Sequence, residues 1–171
     1  MYNTFEKCLS YFESLNISGL DNYEILGVEK EILMSIDNVD FVGYIDLLLR
    51  DKFTGDIIVI DHKSSGYPLK QDGSVKSDKT HQFESYKNQM YVYSLGIKKE
   101  YGVYPRKIVW NHFKDNKVLE IDFSIEEFKD TMKWCEAKIR EIKKDELFNP
   151  NTEYFFCNVL CNFRKSCEYK E

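Results

Sequence analysis

Two neighbouring stretches limit the folds open to this chain more than any other part of it. Residues 43–46 (G-Y-I-D) and residues 56–63 (D-I-I-V-I-D-H-K) each show the two-residue alternation of a β-strand. In the second strand, this alternation places Asp61 and Lys63 on one face and His62 on the other. Placing carboxylates and a lysine beside a hydrophobic core, at the ends of adjacent strands, costs free energy unless these groups pair with one another or bind a ligand. We therefore expect a binding site where these strands end.

A divalent cation suits this arrangement. Asp46 and Asp61 can supply hard oxygen ligands, and the backbone carbonyl of His62 points into the same region. Lys63 is then placed to orient or deprotonate a water molecule. Burial of the two carboxylates is expected to raise their pKa values before a metal binds. The alternative for these residues is a pair of salt bridges on edge strands.

The same residues resemble a known motif. G-Y-I-D, a variable hairpin and then I-D-H-K is similar to the pattern G-x-(I/V)-D … (I/V)-(I/V)-D-x-K of the PD-(D/E)xK nuclease superfamily, and specifically of its RecB-like exonuclease branch. D-x-K alone is a weak motif, but here a strand ending in G-x-I-D precedes it and Q-x-x-x-Y follows it. The resemblance extends roughly from Glu24 to Lys114. It implies a restriction-endonuclease-like fold and a DNA exonuclease that depends on Mg²⁺ or Mn²⁺.

The Q-x-x-x-Y element lies on a helix predicted from His81 to Tyr101, where apolar residues recur at steps of three and four. Gln89 and Tyr93 are four residues apart and therefore share one face of this helix. Spacing alone favours a surface glutamine and a core tyrosine. The resemblance instead implies that Gln89 lies near the active site and bonds a water at the metal or a substrate phosphate. It also implies that Tyr93 either contacts nucleic acid or braces the lysine.

Glu29 is a further candidate ligand, on a strand predicted from Tyr23 to Ile36. Related nucleases carry a glutamate on this stretch that is sometimes associated with the metal, so the resemblance implies a metal role; a solvated strand face is the alternative. Many RecB-like nucleases also have a metal-binding histidine on an N-terminal helix, whereas no histidine precedes His62 here. We therefore expect a truncated or minimal member of the group.

Three of the five cysteines crowd into the end of the chain, as Cys157-x3-Cys161-x5-Cys167. Thiolates at this density suit zinc or an iron–sulfur cluster, each of which takes four ligands. The tail resembles that of AddB-type and CRISPR-adaptation nucleases, which hold a [4Fe-4S] cluster with one upstream cysteine and three near the C-terminus. By that resemblance Cys8 is the fourth ligand, because Cys135 falls on the buried face of a helix. The first spacing here is x3 where x2 is usual, and zinc or reduced thiols are the alternatives.

The order of elements along the chain is predicted to be α-β-β-β-α-β-β-α. The first helix spans Tyr2–Leu15, and the three strands after it form an antiparallel meander. A helical crossover should then make the fourth strand parallel to the third. This order predicts an α/β fold in which helices flank a mixed central sheet. We expect residues 1–150 to form the nuclease domain and residues 151–171 to form a cysteine-rich tail packed on it.

The composition of the chain bears on its cellular location and on whether it needs a partner protein. The 171 residues are 43% hydrophobic, with no apolar run of membrane-spanning length and no signal peptide, so a cytoplasmic protein is expected. The net charge of −5 is unusual for a protein that contacts many phosphate groups of a DNA duplex. The expected role is DNA recombination, repair or phage DNA processing. The alternative is a nuclease-fold subunit that needs a helicase or recombination partner.

Overall fold

The computed structural model describes residues 21–147, 149–150 and 152–169 of the chain. These residues contain a sheet of five strands, which stand side by side in the order in which they occur along the chain. β3 and β4 are parallel, whereas the other neighbouring pairs are antiparallel. The strands are β1 (Tyr23–Ile36), β2 (Val39–Asp51), β3 (Ile57–His62), β4 (Lys107–His112) and β5 (Lys117–Asp122).

Two long helices accompany the sheet. The first, α1 (Thr80–Tyr101), lies in the crossover between the two parallel strands and ends where Gly102 adopts a φ of 77°. A left-handed residue at this point is the usual helix stop, and glycine adopts it without strain. The second, α2 (Ile125–Lys144), follows Ser124, whose hydroxyl accepts the backbone N–H of Glu127 at 3.3 Å. This bond satisfies one of the donors left unpaired at a helix start.

The hydrophobic core joins the sheet to α1. Alternate side chains of the central strands face the helix, which contributes Met90, Tyr91 and Ile97. The two come very close at Gly96, where an added Cβ would lie 2.5 Å from Cγ1 of Ile32. Burying each large apolar side chain contributes about 1.5–3 kcal/mol. This contact therefore fixes the polar residues of α1 over the ends of the strands.

The chain divides by compactness into two units that meet between Ala137 and Lys138. The first contains the sheet, α1 and most of α2. The second contains the end of α2 and the cysteine segment, where Phe156–Leu160 forms a short π-helical turn. Within the residues that the structure describes, no helix is both long enough and apolar enough to cross a membrane.

The predicted fold class, with helices flanking a mixed central sheet, is confirmed. The antiparallel meander and the parallel pairing after the helical crossover are both present. The observed bounds of β1, Tyr23–Ile36, are those predicted. The predicted helix Tyr2–Leu15 and the candidate ligand Cys8 lie outside the described residues.

Candidate active site

The site forms where β2 and β3 move apart. Their backbone pairing stops at Leu47 and Ile60, whereas β3 continues beside β4 as far as His62 and Asn111. Beyond that point the carboxylate of Asp46 replaces the backbone ladder, because its Oδ2 accepts the His62 N–H at 2.6 Å. A hydrogen bond to an ionised acceptor is stronger than a neutral backbone bond. The Asp46 carboxylate is thus fixed against the end of β3.

Asp46 also lies at an irregularity of its own strand. Ile45 and Leu48 both belong to the core, although residues three apart in a regular strand face opposite sides of a sheet. The alternation of faces is therefore broken at Asp46 and Leu47. Irregularities of this kind redirect side chains and are common next to active sites.

Asp61 is the buried member of the carboxylate pair, with 6% of its surface exposed. Burial raises the pKa of Asp61; Lys63 opposes this rise and the negative charge of Asp46 adds to it. Lys63 Nζ lies 2.7 Å from Asp61 Oδ2. Oδ2 is therefore a buried oxygen paired with the positive charge of the Lys63 ammonium. An oxygen in this state is suited to a cationic ligand.

The ammonium group of Lys63 is held from two further sides. Its Nζ donates to Oε1 of Gln89 at 3.2 Å. It also lies 4.2 Å from the centre of the Tyr86 ring, where the electron-rich face attracts a cation. The Tyr86 hydroxyl in turn donates to Oγ of Ser65 at 3.1 Å. Lys63 is therefore positioned by its own strand, by α1 and by the loop that follows it.

Gln89 is itself held in place by Tyr93. Nε2 of Gln89 donates to the Tyr93 hydroxyl at 3.0 Å. The Tyr93 ring lies against β2 at Gly43, where an added Cβ would be 2.5 Å from ring atom Cε1. This close approach explains the glycine of the G-Y-I-D motif. The two motifs predicted from sequence thus meet directly, one on the strand and the other on the helix.

The side chain of His62 points away from the carboxylates. Its Nδ1 lies 3.1 Å from Nδ2 of Asn111, which can donate to it. The Lys63 N–H bonds to the backbone oxygen of the same asparagine at 2.8 Å. These contacts agree with the predicted alternation of faces along β3. Coordination of a metal by the His62 carbonyl stays a prediction.

Asp46 of β2 and Asp61 of β3 both lie beside the start of the loop at Lys63, and Gln89 of the next helix accepts a hydrogen bond from that lysine. A family model described as the PD-(D/E)XK nuclease superfamily matches residues 5–168. The chain belongs to this superfamily. Membership confirms the predicted superfamily and its restriction-endonuclease-like fold, and it favours a metal-dependent nuclease.

One solved structure similar to this PD-(D/E)XK protein is the crystal structure of SSO0001. The two have a TM-score of 0.47 and 19% sequence identity, over 96% of this chain and 68% of SSO0001. A search of the curated proteins gave no match.

The two aspartates fit a divalent cation of the Mg²⁺ type. Both are hard oxygen donors, and the buried Oδ2 of Asp61 already lies 2.7 Å from one cationic group, the Lys63 ammonium. Across the described ranges, no three His, Cys, Asp or Glu side chains form a group that could enclose a metal. Mg²⁺ is usually bound by one or two carboxylates, substrate phosphates and water rather than by a complete protein cage. The residues present therefore fit a cation held jointly with a substrate.

Glu29 lies across the sheet from Asp46. The flanking pairs, Val28 with Leu47 and Lys30 with Ile45, place it opposite that aspartate in the register of β1 and β2. Its backbone has a φ of 48°, which is uncommon for a residue other than glycine. Its side chain is exposed and forms no three-member ligand group with the two aspartates. Its predicted metal role stays a prediction.

The predicted cysteine site finds no support among the described residues. Cys157, Cys161 and Cys167 are each partly exposed and do not form a group that could hold a metal. The predicted fourth ligand, Cys8, lies outside the described residues. Close spacing along the chain therefore does not bring these thiols together in the part of the chain that the structure describes.

Sequence reasoning missed two residues that organise the site. Tyr86 lies three residues before Gln89 on α1, so helical spacing from the Q-x-x-x-Y element could have indicated it. Asn111 lies on β4, and only the parallel pairing of β3 with β4 brings it to His62. No local signal in the sequence identifies that contact.

Proposed function

We propose that this protein is a metal-dependent DNA nuclease. In this proposal Asp46 and Asp61 hold Mg²⁺ or Mn²⁺, and Lys63 orients the attacking water. The observation that carries the proposal is the convergence of Lys63 Nζ on Asp61 Oδ2 at 2.7 Å and on Gln89 Oε1 at 3.2 Å. A half-buried lysine with three positioning neighbours is more ordered than a surface salt bridge requires. The alternative of simple edge-strand salt bridges also leaves the Asp46 bond to His62 N–H unexplained.

Each residue has a defined task in this proposal. A bound cation would polarise the scissile phosphate and offset the charge that develops on it. Lys63 donates hydrogen bonds that orient the attacking water, and its positive charge stabilises the transition state. Gln89 fixes the direction of the ammonium group, and Tyr93 fixes Gln89. Because Asp61 contacts Lys63, the carboxylate that would hold the cation also keeps the lysine beside it.

We further propose that the nuclease acts as an exonuclease of the RecB-like branch. The support is the contact between the D-x-K lysine and the Q-x-x-x-Y glutamine, which are the two motifs that define the resemblance. We do not include an iron–sulfur cluster in the proposal, because the described cysteines form no metal-binding group. A role in recombination, repair or phage DNA processing follows from this branch.

The second candidate is a nuclease-fold subunit that cleaves only with a helicase or recombination partner. The net charge of −5 favours it, because a protein that grips DNA alone usually has a basic surface. In this case the same residues would bind metal and cleave weakly until the partner delivers DNA.

Cleavage of end-labelled DNA tests these proposals. Single- and double-stranded substrates, linear and circular, are incubated with Mg²⁺ or Mn²⁺, and with a chelator as the metal-free control. Lys63→Ala is compared with Lys133→Ala, a matched control at an exposed lysine paired with Asp130. We expect metal-dependent cleavage that Lys63→Ala abolishes and Lys133→Ala retains, with circles spared by an exonuclease.

Other outcomes separate the candidates. Cleavage that persists in Lys63→Ala contradicts the assigned site. Binding of Mg²⁺ by the wild type without cleavage favours the partner-dependent subunit. Cleavage of circles contradicts exonuclease action but leaves the metal-dependent nuclease intact.

A further inference from the structure

An open groove of about 500 Å³ runs along α1 beside the proposed active site. One stripe of α1 and one aromatic residue of α2 line it: His81, Ser85, Asn88, Gln89, Val92 and Trp134. The α1 residues recur at three- and four-residue steps, so they share one face of the helix. Gln89 lies on this face and also contacts Lys63 at the end of β3.

The groove is open at its aromatic end. Trp134 is 48% exposed, although tryptophan is usually well buried. The Ser85 hydroxyl and the Nδ2 group of Asn88 can form hydrogen bonds with a planar ligand. Oδ1 of Asn88 already accepts from Thr131, and the Gln89 amide is held by Lys63 and Tyr93.

The charged groups of the groove do not suit a phosphate. No lysine or arginine lines it, and phosphate groups are normally held by these two residues. Glu84 is also in the lining, and its carboxylate is 3.4 Å from Lys87 Nζ. An aromatic face with neutral amides and one histidine instead suits an uncharged heterocycle. Nucleobases stack on exposed aromatic side chains in proteins that bind single strands.

The groove is continuous with the catalytic lysine. Gln89 lines the groove and accepts a hydrogen bond from Lys63 through Oε1. Tyr93, which accepts the amide of Gln89, also lines it. A ligand in the groove is therefore one side chain away from the group that would act on the scissile phosphate.

We propose that this groove binds an unpaired nucleobase of the DNA substrate, stacked on Trp134 and hydrogen-bonded by Nδ2 of Asn88. The proposal rests on the proposed nuclease function and adds a substrate class to it. A base can enter the groove only when it is neither paired nor stacked in a duplex. The groove therefore makes the protein select single-stranded DNA, or a frayed single-stranded end, over intact duplex.

Tryptophan fluorescence reports on this groove directly. The chain has two tryptophans, and Trp110 is fully buried whereas Trp134 is exposed. The protein is titrated with a short oligothymidylate in the presence of chelator, so that no cleavage occurs. An abasic oligonucleotide of the same length has the same phosphates without bases. We expect quenching by oligothymidylate and little quenching by the abasic strand.

Variants test the stacking itself. Stacking on one aromatic side chain contributes enough that Trp134→Ala should weaken single-strand binding by about tenfold or more, measured by fluorescence anisotropy of labelled DNA. Trp134→Phe keeps a smaller ring and should recover part of the affinity. The exposed position of Trp134 means that both variants should fold, which the unchanged emission of Trp110 verifies.

The results distinguish failure of the groove from failure of the nuclease. Equal quenching by the abasic strand, no quenching, or wild-type affinity in Trp134→Ala would overturn the base-binding proposal, even if the protein cleaves DNA. Base-dependent quenching in a protein that never cleaves would support the groove and count against the nuclease. Equal cleavage of single strands and intact duplexes would overturn the predicted selectivity.

Discussion

The end of β3 and the C-terminal cysteine segment each contain three residues that the sequence marks as candidates for metal binding or catalysis. At the end of β3 these are Asp46, Asp61 and Lys63, and the two regions hold their residues in different ways. At the end of β3, Asp61 of that strand and Gln89 of α1 contact Lys63, and Asp46 of β2 accepts the N–H of His62. In the cysteine segment, Cys157, Cys161 and Cys167 come from consecutive local turns, and no metal-binding group forms among the described residues.

The difference teaches what makes a set of potential ligands a site. Regular strands have a fixed register, and each residue of a sheet is placed by hydrogen bonds to its neighbours. Successive turns of one segment lack such interstrand hydrogen bonds, so the distances between their side chains depend on packing against other parts of the chain. Convergence of several elements, more than residue spacing, distinguishes the first region from the second.

The largest effect is expected from Asp61→Asn. This change removes the charge of the buried carboxylate, so we expect loss of measurable Mg²⁺ binding by calorimetry. We also expect cleavage to fall by more than about 100-fold, the upper range for residues that only support a metal ligand. Asp72→Asn, on an exposed loop, is the matched control. If Asp61→Asn still binds Mg²⁺, the end of β3 is not the metal site that its geometry indicates, and it no longer differs from the cysteine segment in this respect.

Gly43→Ala tests whether the convergence depends on close packing. The added methyl group would meet the Tyr93 ring at 2.5 Å. Overpacking of this kind lowers the free energy of unfolding by about 1–3 kcal/mol and should also displace Gln89 and reduce cleavage. Gly66→Ala is the control, since its nearest contact would be Asp115 Oδ2 at 3.7 Å. Urea unfolding and cleavage assays measure both effects, and a neutral Gly43→Ala would count against the packing argument.

Tyr86 tests whether α1 positions Lys63, because its ring contacts the lysine ammonium and not the aspartates. Tyr86→Leu removes the aromatic face that lies 4.2 Å from Lys63 Nζ. We expect kcat to fall by about 10- to 100-fold, as for other supporting residues, with little change in KM. Tyr86→Phe keeps the ring and should restore most of kcat. Equal losses in the two variants would instead indicate that the hydroxyl bond to Ser65 is the important contact.

The pH dependence of stability isolates Asp61. Because its pKa is raised above the ordinary 3.8, the folded chain binds more protons there than the unfolded chain. The stability of the metal-free protein should therefore fall as pH rises from 3.8 through the raised pKa. Asp61→Asn lacks this ionisation, so its stability relative to the wild type should grow over the same interval. Urea unfolding with chelator measures the difference, and a constant difference would contradict the buried charge.

The smallest effect is expected in the cysteine segment. Serine at Cys157, Cys161 and Cys167 together should change the free energy of unfolding by about 0.5 kcal/mol or less, as is usual for surface sites. Cleavage should be unchanged, and elemental analysis should find neither iron nor zinc in either protein. Iron in the wild type that is absent from the triple variant would restore the predicted cluster and break the comparison.

Much of the fold and part of the candidate site could be predicted from the sequence. Two-residue alternation identified β2 and β3, and the motif singled out Asp46, Asp61 and Lys63. Asp61 and Lys63 lie at the end of β3 as expected, whereas Asp46 lies inside β2, which continues to Asp51. Helical spacing put Gln89 and Tyr93 on one face of α1. These predictions depend on local backbone geometry, in which a residue's neighbours in sequence determine the direction of its side chain.

Tertiary structure alone decided the rest. The bond from His62 N–H to Asp46 requires β2 and β3 to part at a particular residue, and the contact of Asn111 requires the parallel pairing of β3 with β4. The groove at Trp134 forms between side chains of α1 and α2 that are far apart in sequence. Such contacts depend on how whole elements pack, so the sequence determined which residues could react, and packing determined which of them meet.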